Sequence, residues 1–589
     1  MMVGMSVSAV DRDRVADGRA LPQPRTCAEE VLWLLAAHGV EFLFLNPGTD
    51  SAPLQEAAAA LQERGGSAPR IVPSTFESAA LAAAHGYWQA TGRPQAVFVH
   101  VDVGTQNLGA VVHDVLRDRA GAVVLAGKTP YAEDAGSPGA RSHPIHWQQD
   151  VPDQAGIVRG YAKWTAELTR SQDAARVIGR AVQVAGGGIP GLAYLTLSRD
   201  VLMEPAGPER LRRTAGFARP APPAAEASAL EELARRLAAA ERPLVVTTRA
   251  GRSPAAADAL GRVAGLAAIP VIGRSEAVNV VTTHPMSVRS LSLSQSLLAE
   301  ADLVLVVDCD VPWIPRDTTL AAGCFVAQID RDPVKADMPL WSFPIDLSLC
   351  ADPAVALGQL AGALERHRER AADRWEERRR SLAPAIASAN QSPRSAAAQA
   401  PQTDVRAAVL ALSDALEPGD LVVEEAISNA GPVAELLERP EPGTLYSAGG
   451  PGLGWSPGAA VGIKLARPDR RVVAVVGDGA FLFSVPTATL ALAAEAKAPV
   501  VLVVLNNGGY RASRLPVLEL FPDGVSARRG EVIGAPVSRP VDFVALAQAC
   551  GAHGERTAGA AGLGDAIRRA LAAADGVSAV VDVQVEQSD

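Results

Sequence analysis

The sequence predicts an α/β protein of three domains, each a parallel sheet flanked by helices, and three observations predict it. The chain has 589 residues, more than one hydrophobic core holds, so two to four domains of ordinary size are expected. Short, continuous apolar runs bounded by turn residues recur from end to end, the pattern of strands buried on both faces of a parallel sheet. Ala- and Leu-rich helical stretches separate these runs, which is the alternation of βαβ units.

Strand-like runs fall at 42–45, 96–100, 123–125, 244–247, 303–307, 421–423, 472–476 and 500–505, and helical stretches at 79–90, 227–240 and 541–549. Two stretches interrupt the alternation. Residues 205–223 are rich in Pro, Gly and Arg, and residues 381–403, rich in Ser, Ala, Gln and Pro, follow a charged helix over 365–380. Cutting there gives domains at 25–204, 225–365 and 404–589, with 366–403 as a linker. Residues 1–24 carry Asp11, Arg12, Asp13 and Arg14 and no continuous apolar segment, so they read as a disordered leader and not as a signal peptide. No short-period repeat is visible.

Composition narrows the function classes. Apolar residues make up 48% and charged residues 20%, as in soluble globular proteins. A formal net charge of −10 excludes the basic footprint of a nucleic-acid or anionic-membrane partner. No apolar run reaches the roughly 18–20 residues that span a bilayer. The five cysteines, Cys27, Cys309, Cys324, Cys350 and Cys550, include no C-x-x-C pair and are odd in number. That argues against a disulfide framework or structural zinc and for a reducing compartment, with the cytoplasm as the default expectation.

The most informative segment is Val472-Val-Ala-Val-Val-Gly-Asp-Gly-Ala-Phe-Leu-Phe-Ser484, followed by Val500-Val-Leu-Val-Val-Leu-Asn-Asn-Gly-Gly-Tyr510. Gly477-Asp478-Gly479 stands at the carboxyl end of one strand and Asn506-Asn507 at that of the next, where open parallel sheets bind ligands. Asp478 offers a charged oxygen, Asn507 an amide oxygen and Gly509 a backbone carbonyl, a set suited to magnesium, which fills its other positions with phosphate and water. Gly477 and Gly479 let backbone approach a diphosphate, and a helix starting near Ala480 points free N–H groups the same way. A strand-end turn explains each element alone. The pair, with 26 residues between Gly479 and Asn506 and a helix among them, resembles the thiamine diphosphate signature of the decarboxylase and acetohydroxyacid synthase superfamily.

That resemblance implies thiamine diphosphate and Mg2+ as cofactors, and a pyrimidine-binding, a central and a diphosphate-binding domain. It also implies a carboxylate beside the cofactor's aminopyrimidine, a proton-sharing role that suits a buried glutamate. Glu77 stands in Val72-Pro-Ser-Thr-Phe-Glu-Ser-Ala-Ala-Leu-Ala-Ala-Ala-His-Gly-Tyr-Trp-Gln-Ala-Thr-Gly-Arg-Pro94, which looks like the family's pyrimidine segment. A plain helix N-terminus also favours Glu there. The family usually has Asp before the Gly-Tyr step, where this chain has His85. In relatives the two cofactor domains come from different subunits, which implies a homodimer or homotetramer with active sites at the interface.

Upstream runs Ser447-Ala-Gly-Gly-Pro-Gly-Leu-Gly-Trp-Ser-Pro-Gly-Ala-Ala-Val-Gly462. Its G-x-G-x-G lacks the third glycine of a dinucleotide fingerprint. Leu453, 25 residues before Asp478, matches the large apolar residue that bends the family's cofactor, a proximity device. Ser428, another 25 residues upstream, resembles a diphosphate-contacting hydroxyl, and a helix N-cap would place it equally well.

Within the superfamily the benzoylformate decarboxylases give the best local match, through Asn46-Pro-Gly-Thr49 and Val99-His-Val-Asp-Val-Gly-Thr-Gln-Asn107. By that resemblance Thr49 touches the substrate carboxylate and His100 shuttles a proton; a strand-end His bonded to backbone is the plain reading. Those relatives carry a second His in the central domain, where this chain reads Asp308-Cys-Asp-Val-Pro-Trp-Ile-Pro315. The stretch His146-Trp-Gln-Gln-Asp150 looks synthase-like. Tyr510, Arg511 and Leu515 either line the pocket or form ordinary surface loop.

The implied reaction is loss of carbon dioxide from a 2-oxo acid, with the thiazolium as electron sink. The acyl carbon is then protonated to an aldehyde or captured by a second carbonyl to give a 2-hydroxy ketone. An acetolactate synthase-type carboligase is the alternative, in which FAD often sits in the central domain. Thr247-Thr-Arg-Ala-Gly-Arg252 could border a nucleotide or be a strand-to-helix loop, and no specific motif supports FAD. A non-catalytic relative would be expected to lose Glu77, Asp478 or Asn507, and all three are present.

Overall fold

Among the described residues, three six-stranded sheets, parallel throughout, carry the fold. The computed structural model describes residues 23–207, 217–273, 276–536 and 541–586. The leader expected over 1–24 lies outside the described residues up to residue 22, as do 208–216 of the first expected linker. The described chain divides into two compact units. One comprises Met1–Pro220 with Ala448–Pro468 and Leu482–Pro499, the other Ala221–Ser447 with Asp469–Phe481 and Val500–Asp589. These units do not follow the three expected domains one to one, because two helical segments of the third pack with the first.

In the first unit the strands are β1 (Phe42–Leu45), β2 (Arg70–Pro73), β3 (Gln95–Val99), β4 (Ala122–Lys128), β5 (Trp164–Leu168) and β6 (Leu192–Ser198), in the order β2-β1-β3-β4-β6-β5. β3, β4 and β6 are buried along their full length except Lys128, which is why their sequences are continuous apolar runs. The helix Glu77–Thr91 packs on the helix Ser456–Ala466. Small residues allow this: a Cβ on Gly86 would stand 2.2 Å from the Ala459 carbonyl oxygen, and one on Gly462 1.8 Å from that of Ala83. The Gly-Tyr step of the sequence is therefore a helix-contact requirement.

His85 lies in the same contact and is fully buried. Its Nδ1 accepts the Trp455 indole N–H at 2.9 Å, which leaves its proton on Nε2, 2.7 Å from Asp118 Oδ2. Gln89 donates to the same oxygen at 2.9 Å. The departure at position 85 thus ties three elements together.

In the second unit the first sheet is β7 (Pro243–Thr247), β8 (Val271–Gly273), β9 (Ser287–Val288), β10 (Leu303–Val307), β11 (Phe325–Asp330) and β12 (Leu347–Cys350), in the order β12-β11-β10-β7-β8-β9. Read from β9, this is the 3-2-1-4-5-6 order of dinucleotide-binding sheets. The second sheet is β13 (Leu421–Glu425), β14 (Leu445–Ser447), β15 (Val472–Gly477), β16 (Val501–Asn506), β17 (His553–Ala558) and β18 (Ala579–Gln584), in the order β14-β13-β15-β16-β18-β17.

The linker expected over 366–403 is helical almost to its end. One helix runs Pro353–Gln399, with Pro384 and Pro393 inside it. Proline normally ends a helix, and here tertiary anchors hold it. Arg378 donates to the carbonyls of Ala267 and Ala240, Asn390 to that of Ser287, and Trp375, Ile386 and Ala397 are buried.

Candidate active site

In the first unit the expected side chains gather at the carboxyl edge of one sheet. Thr49 follows β1, Glu77 follows β2 and His100 follows β3. Glu77 is the first residue of its helix and 5% exposed. Its Oε2 accepts the Asn107 amide N–H at 3.2 Å, and a Cβ on Gly104 would come within 3.0 Å of Oε1. Thr49 is exposed. His100 is not bonded to backbone through its ring: Nδ1 lies 2.7 Å from Asp50 Oδ1. That hydrogen bond raises the proton affinity of the ring, burial opposes it, and Asp50, Asp102 and Glu77 add to it through their charge.

The synthase-like stretch folds beside this edge. His146 is fully buried, with Nδ1 accepting the Ser142 backbone N–H at 3.0 Å, and burial lowers its pKa. Gln154 donates to the Gly127 carbonyl at 2.9 Å and to the Tyr194 hydroxyl at 3.1 Å.

Leu453 is half-buried in the glycine-rich turn before Ser456–Ala466. The glycines there fit against the helix Gly109–Arg117. Gly452 N–H donates to Asp114 Oδ1 at 2.8 Å, and a Cβ on Gly450 would stand 2.6 Å from the same atom. Close backbone packing, and not dinucleotide binding, explains the G-x-G-x-G pattern.

In the second unit β15 pairs with β16 in the register Gly477↔Leu505, so Asp478 and Asn506 follow side by side. The helix begins at Asp478, two residues before the expected start at Ala480, and ends at Phe483. Asp478 and Ala480 are buried. Burial raises the Asp478 carboxyl above its ordinary range, opposed by the backbone N–H groups of Gly479, Gly509 and Gly508. Asn506 is tied to Asp582 at 2.9 Å, which leaves Asn507 as the amide at the turn; its Oδ1 accepts Gly509 N–H at 3.2 Å. A Cβ on Gly477 would meet nothing within 4 Å, whereas one on Gly479 would meet the Tyr510 ring at 2.9 Å.

A buried carboxylate without a paired lysine or arginine among the described residues, one amide oxygen and one backbone carbonyl fit a hard cation. The open space at Gly477 fits a phosphate-bearing group. Ser428 is half-buried in the turn Ile427–Asn429, and the N-cap of the helix Ala430–Leu436 is Asn429, so capping does not account for Ser428. Arg511 and Leu515 lie on the helix Arg511–Leu520, which buries no residue.

Sequence reasoning missed Asp50 and Glu424. Asp50 was in view beside Thr49, but its partner is 50 positions away. Glu424 is the fourth of five residues in the buried strand β13, its carboxyl pushed up to about 7 by burial.

The central crevice, between the carboxyl ends of β7 and β10, is filled by charged side chains of the chain itself. Arg249 Nη2 pairs with Asp310 at 2.8 Å and Nε with Asp308 at 3.3 Å, and Lys335 pairs with Asp310 at 2.8 Å and with Asp330.

Three family models match the chain: thiamine pyrophosphate enzyme N-terminal TPP binding domain over 25–157, central domain over 230–360, and C-terminal TPP binding domain over 428–583. A benzoylformate decarboxylase of Pseudomonas aeruginosa is 29% identical over 564 residues, covering 92% of this chain and 95% of that protein. A chloroplastic acetolactate synthase of Arabidopsis thaliana is 25% identical over 566 residues, covering 93% and 80%. The solved structure of a Rhodococcus jostii thiamine diphosphate-dependent 4-hydroxybenzoylformate decarboxylase shares the fold, with a TM-score of 0.75 at 23% identity over 96% of this chain and 99% of that one.

Proposed function

The chain belongs to the thiamine pyrophosphate enzymes, within the decarboxylase and acetolactate synthase family, and on that premise we propose that it decarboxylates a 2-oxo acid. The observation that carries this reading is the buried Glu77 and the accessible His100 on one sheet edge. Thiamine diphosphate, when bound, supplies the electron sink for the pair released as the carboxylate leaves. The chain's own groups do the rest. Asp478, Asn507 and the Gly509 carbonyl would hold Mg2+, while Gly477, Gly479, Ala480 and Ser428 would receive the diphosphate and Leu453 the apolar body of the cofactor. Glu77 holds a proton at the pyrimidine ring, the Thr49 hydroxyl orients the substrate carboxylate, and His100 moves a proton at Nε2.

Carboligation to a second carbonyl, as in the acetolactate synthases, is the second reading. It is favoured by the 24–25% identity to those enzymes over nearly the whole chain. The ion pairs in the central crevice support a domain without FAD. Val103, Trp147, Ile427 and Phe483 are large apolar side chains left exposed beside the site segments, which supports a homo-oligomer. Among the described residues no helix is long and apolar enough to cross a membrane.

A panel of 2-oxo acids with and without aldehyde acceptors, scored for carbon dioxide, aldehyde and 2-hydroxy ketone, tests the reading. Asp478→Ala is expected to abolish metal-dependent cofactor binding. Glu77→Gln is expected to keep binding and to slow C2 proton exchange by about 100-fold or more. Full turnover in Glu77→Gln would refute the assignment of the activating carboxylate.

A further inference from the structure

Asp50 has no part in the function proposed above, yet the fold is shaped around it. It is 4% exposed although it directly follows the exposed Thr49. A buried carboxylate is costly unless charge or hydrogen bonds compensate it. Its Oδ1 lies 2.7 Å from His100 Nδ1, and its Oδ2 accepts the Val101 backbone N–H at 3.3 Å.

The backbone yields to this pair in three places. A Cβ on Gly127, in β4, would lie 1.4 Å from Asp50 Oδ2. A Cβ on Gly48 would lie 2.2 Å from His100 Nδ1. Val101 adopts φ +38, a left-handed value that β-branched residues rarely take. Segments after β1, after β3 and within β4 thus seat one carboxylate against one imidazole. The ring keeps 24% of its side-chain surface accessible, and Nε2 is the nitrogen left to act.

We propose that Asp50 is a positioning residue for His100, holding the Nδ1 side of the ring in place so that Nε2 is the nitrogen that delivers a proton. The inference rests on the decarboxylation reading and deepens it. The Nε2–H bond breaks as its proton passes to the acyl carbon of the departing product, the ring becomes neutral, and water returns a proton to Nε2. The charged groups that act on the ring are acidic, namely Asp50, Asp102 and Glu77. His146, the other imidazole within the field of Asp50, is held low by burial.

The test compares wild type with Asp50→Asn, which keeps the size and hydrogen-bonding capacity and removes the charge. The His100 titration is followed by NMR of the histidine-labelled full chain without cofactor or substrate, assigned by its loss in His100→Gln. The His100 pKa is expected to fall by about one unit or more. With a 2-oxo acid that the wild type turns over, kcat is expected to fall about tenfold or more with KM within about twofold, and the alkaline limb of kcat to move to lower pH. Gly127→Ala, which drives a methyl group into the seat of Asp50, is expected to shift the titration the same way with both residues intact. An unchanged His100 titration in both variants overturns the proposal, as does a moved titration with an unmoved kcat profile. Because the titration needs no substrate, failure of every 2-oxo acid in the wild type would refute the substrate class while the NMR still decides the Asp50–His100 coupling.

Discussion

Replacing His85 with alanine tests whether the buried bridge to Trp455 and Asp118 holds the first unit together. Trp455 and Asp118 are both fully buried. The substitution strands the indole N–H, which costs about 1–3 kcal/mol, and removes one of the donors to Asp118, about 1.5–3 kcal/mol for a charged acceptor. Gln89 remains on Asp118, and water entering the imidazole-sized space recovers part of the loss, so a net cost of about 3–5 kcal/mol is expected. A chain of this length need not unfold in one step, so the clean assay is a double-mutant cycle, with midpoint shifts in urea for His85→Ala, Trp455→Phe and the pair. Phenylalanine removes the N–H and keeps most of the ring. If the stranded donor carries the cost, His85→Ala is milder by about 1–2 kcal/mol in the Trp455→Phe background. Equal costs in the two backgrounds would refute the reasoning, since the histidine would then matter only as volume.

Glu424 gives a pH dependence. Its folded-state value of about 7 lies above the ordinary glutamate value of 4.5, so the folded chain holds this proton more tightly. Its contribution is complete below about 4.5 and is lost as pH rises through 7, by about 3 kcal/mol in all. Glu424→Gln should therefore raise the thermal midpoint over wild type at pH 8.5 and change it little at pH 5, which calorimetry at the two pH values checks. Gly462→Ala puts a methyl group 1.8 Å from the Ala83 carbonyl oxygen; loss of about 2 kcal/mol or more by denaturant unfolding is expected, and a neutral effect would contradict the helix contact. Purified protein is expected to show no flavin absorption band, and Arg249→Ala to destabilise it by about 3 kcal/mol by taking one cation from the Asp308 and Asp310 carboxylates, read in the same unfolding experiment.

The parts legible in the sequence are those whose cause is local. The runs at 42–45 and 303–307 coincide with β1 and β10, and the other expected strands fall within a few residues of their elements, because strands buried on both faces are apolar at every position. Some strands without a clear run are edge strands. β17 reads His-Gly-Glu-Arg-Thr-Ala and closes one side of its sheet, so half its pairing surface faces away from any core. The segment 381–399 looked like a linker because its composition is that of a loop, and its helix depends on anchors more than 100 residues away. The same division runs through the site. His100 and Asp478 directly follow buried strands, and Glu77 and Asn507 lie within a few residues of a strand end, which is a local signal. The bonds His100–Asp50 and His85–Trp455 join positions 50 and 370 apart, and sequence spacing says nothing of them.

The first sheet, order β2-β1-β3-β4-β6-β5, and the third, order β14-β13-β15-β16-β18-β17, are the same diagram counted from different starting points. The chain therefore uses one topology twice, and the two sheets can be compared slot by slot. The third strand of each sheet passes directly into a six-residue helix, Val101–Gln106 in one and Asp478–Phe483 in the other. The helices that follow the second strands, Glu77–Thr91 and Ser456–Ala466, are counterparts that pack on each other. In this correspondence His100 and Asp478 occupy one slot, each directly following the third strand of its sheet. A residue of unknown purpose in either sheet can accordingly be interrogated through its counterpart, an internal control that a fold using its topology once does not possess.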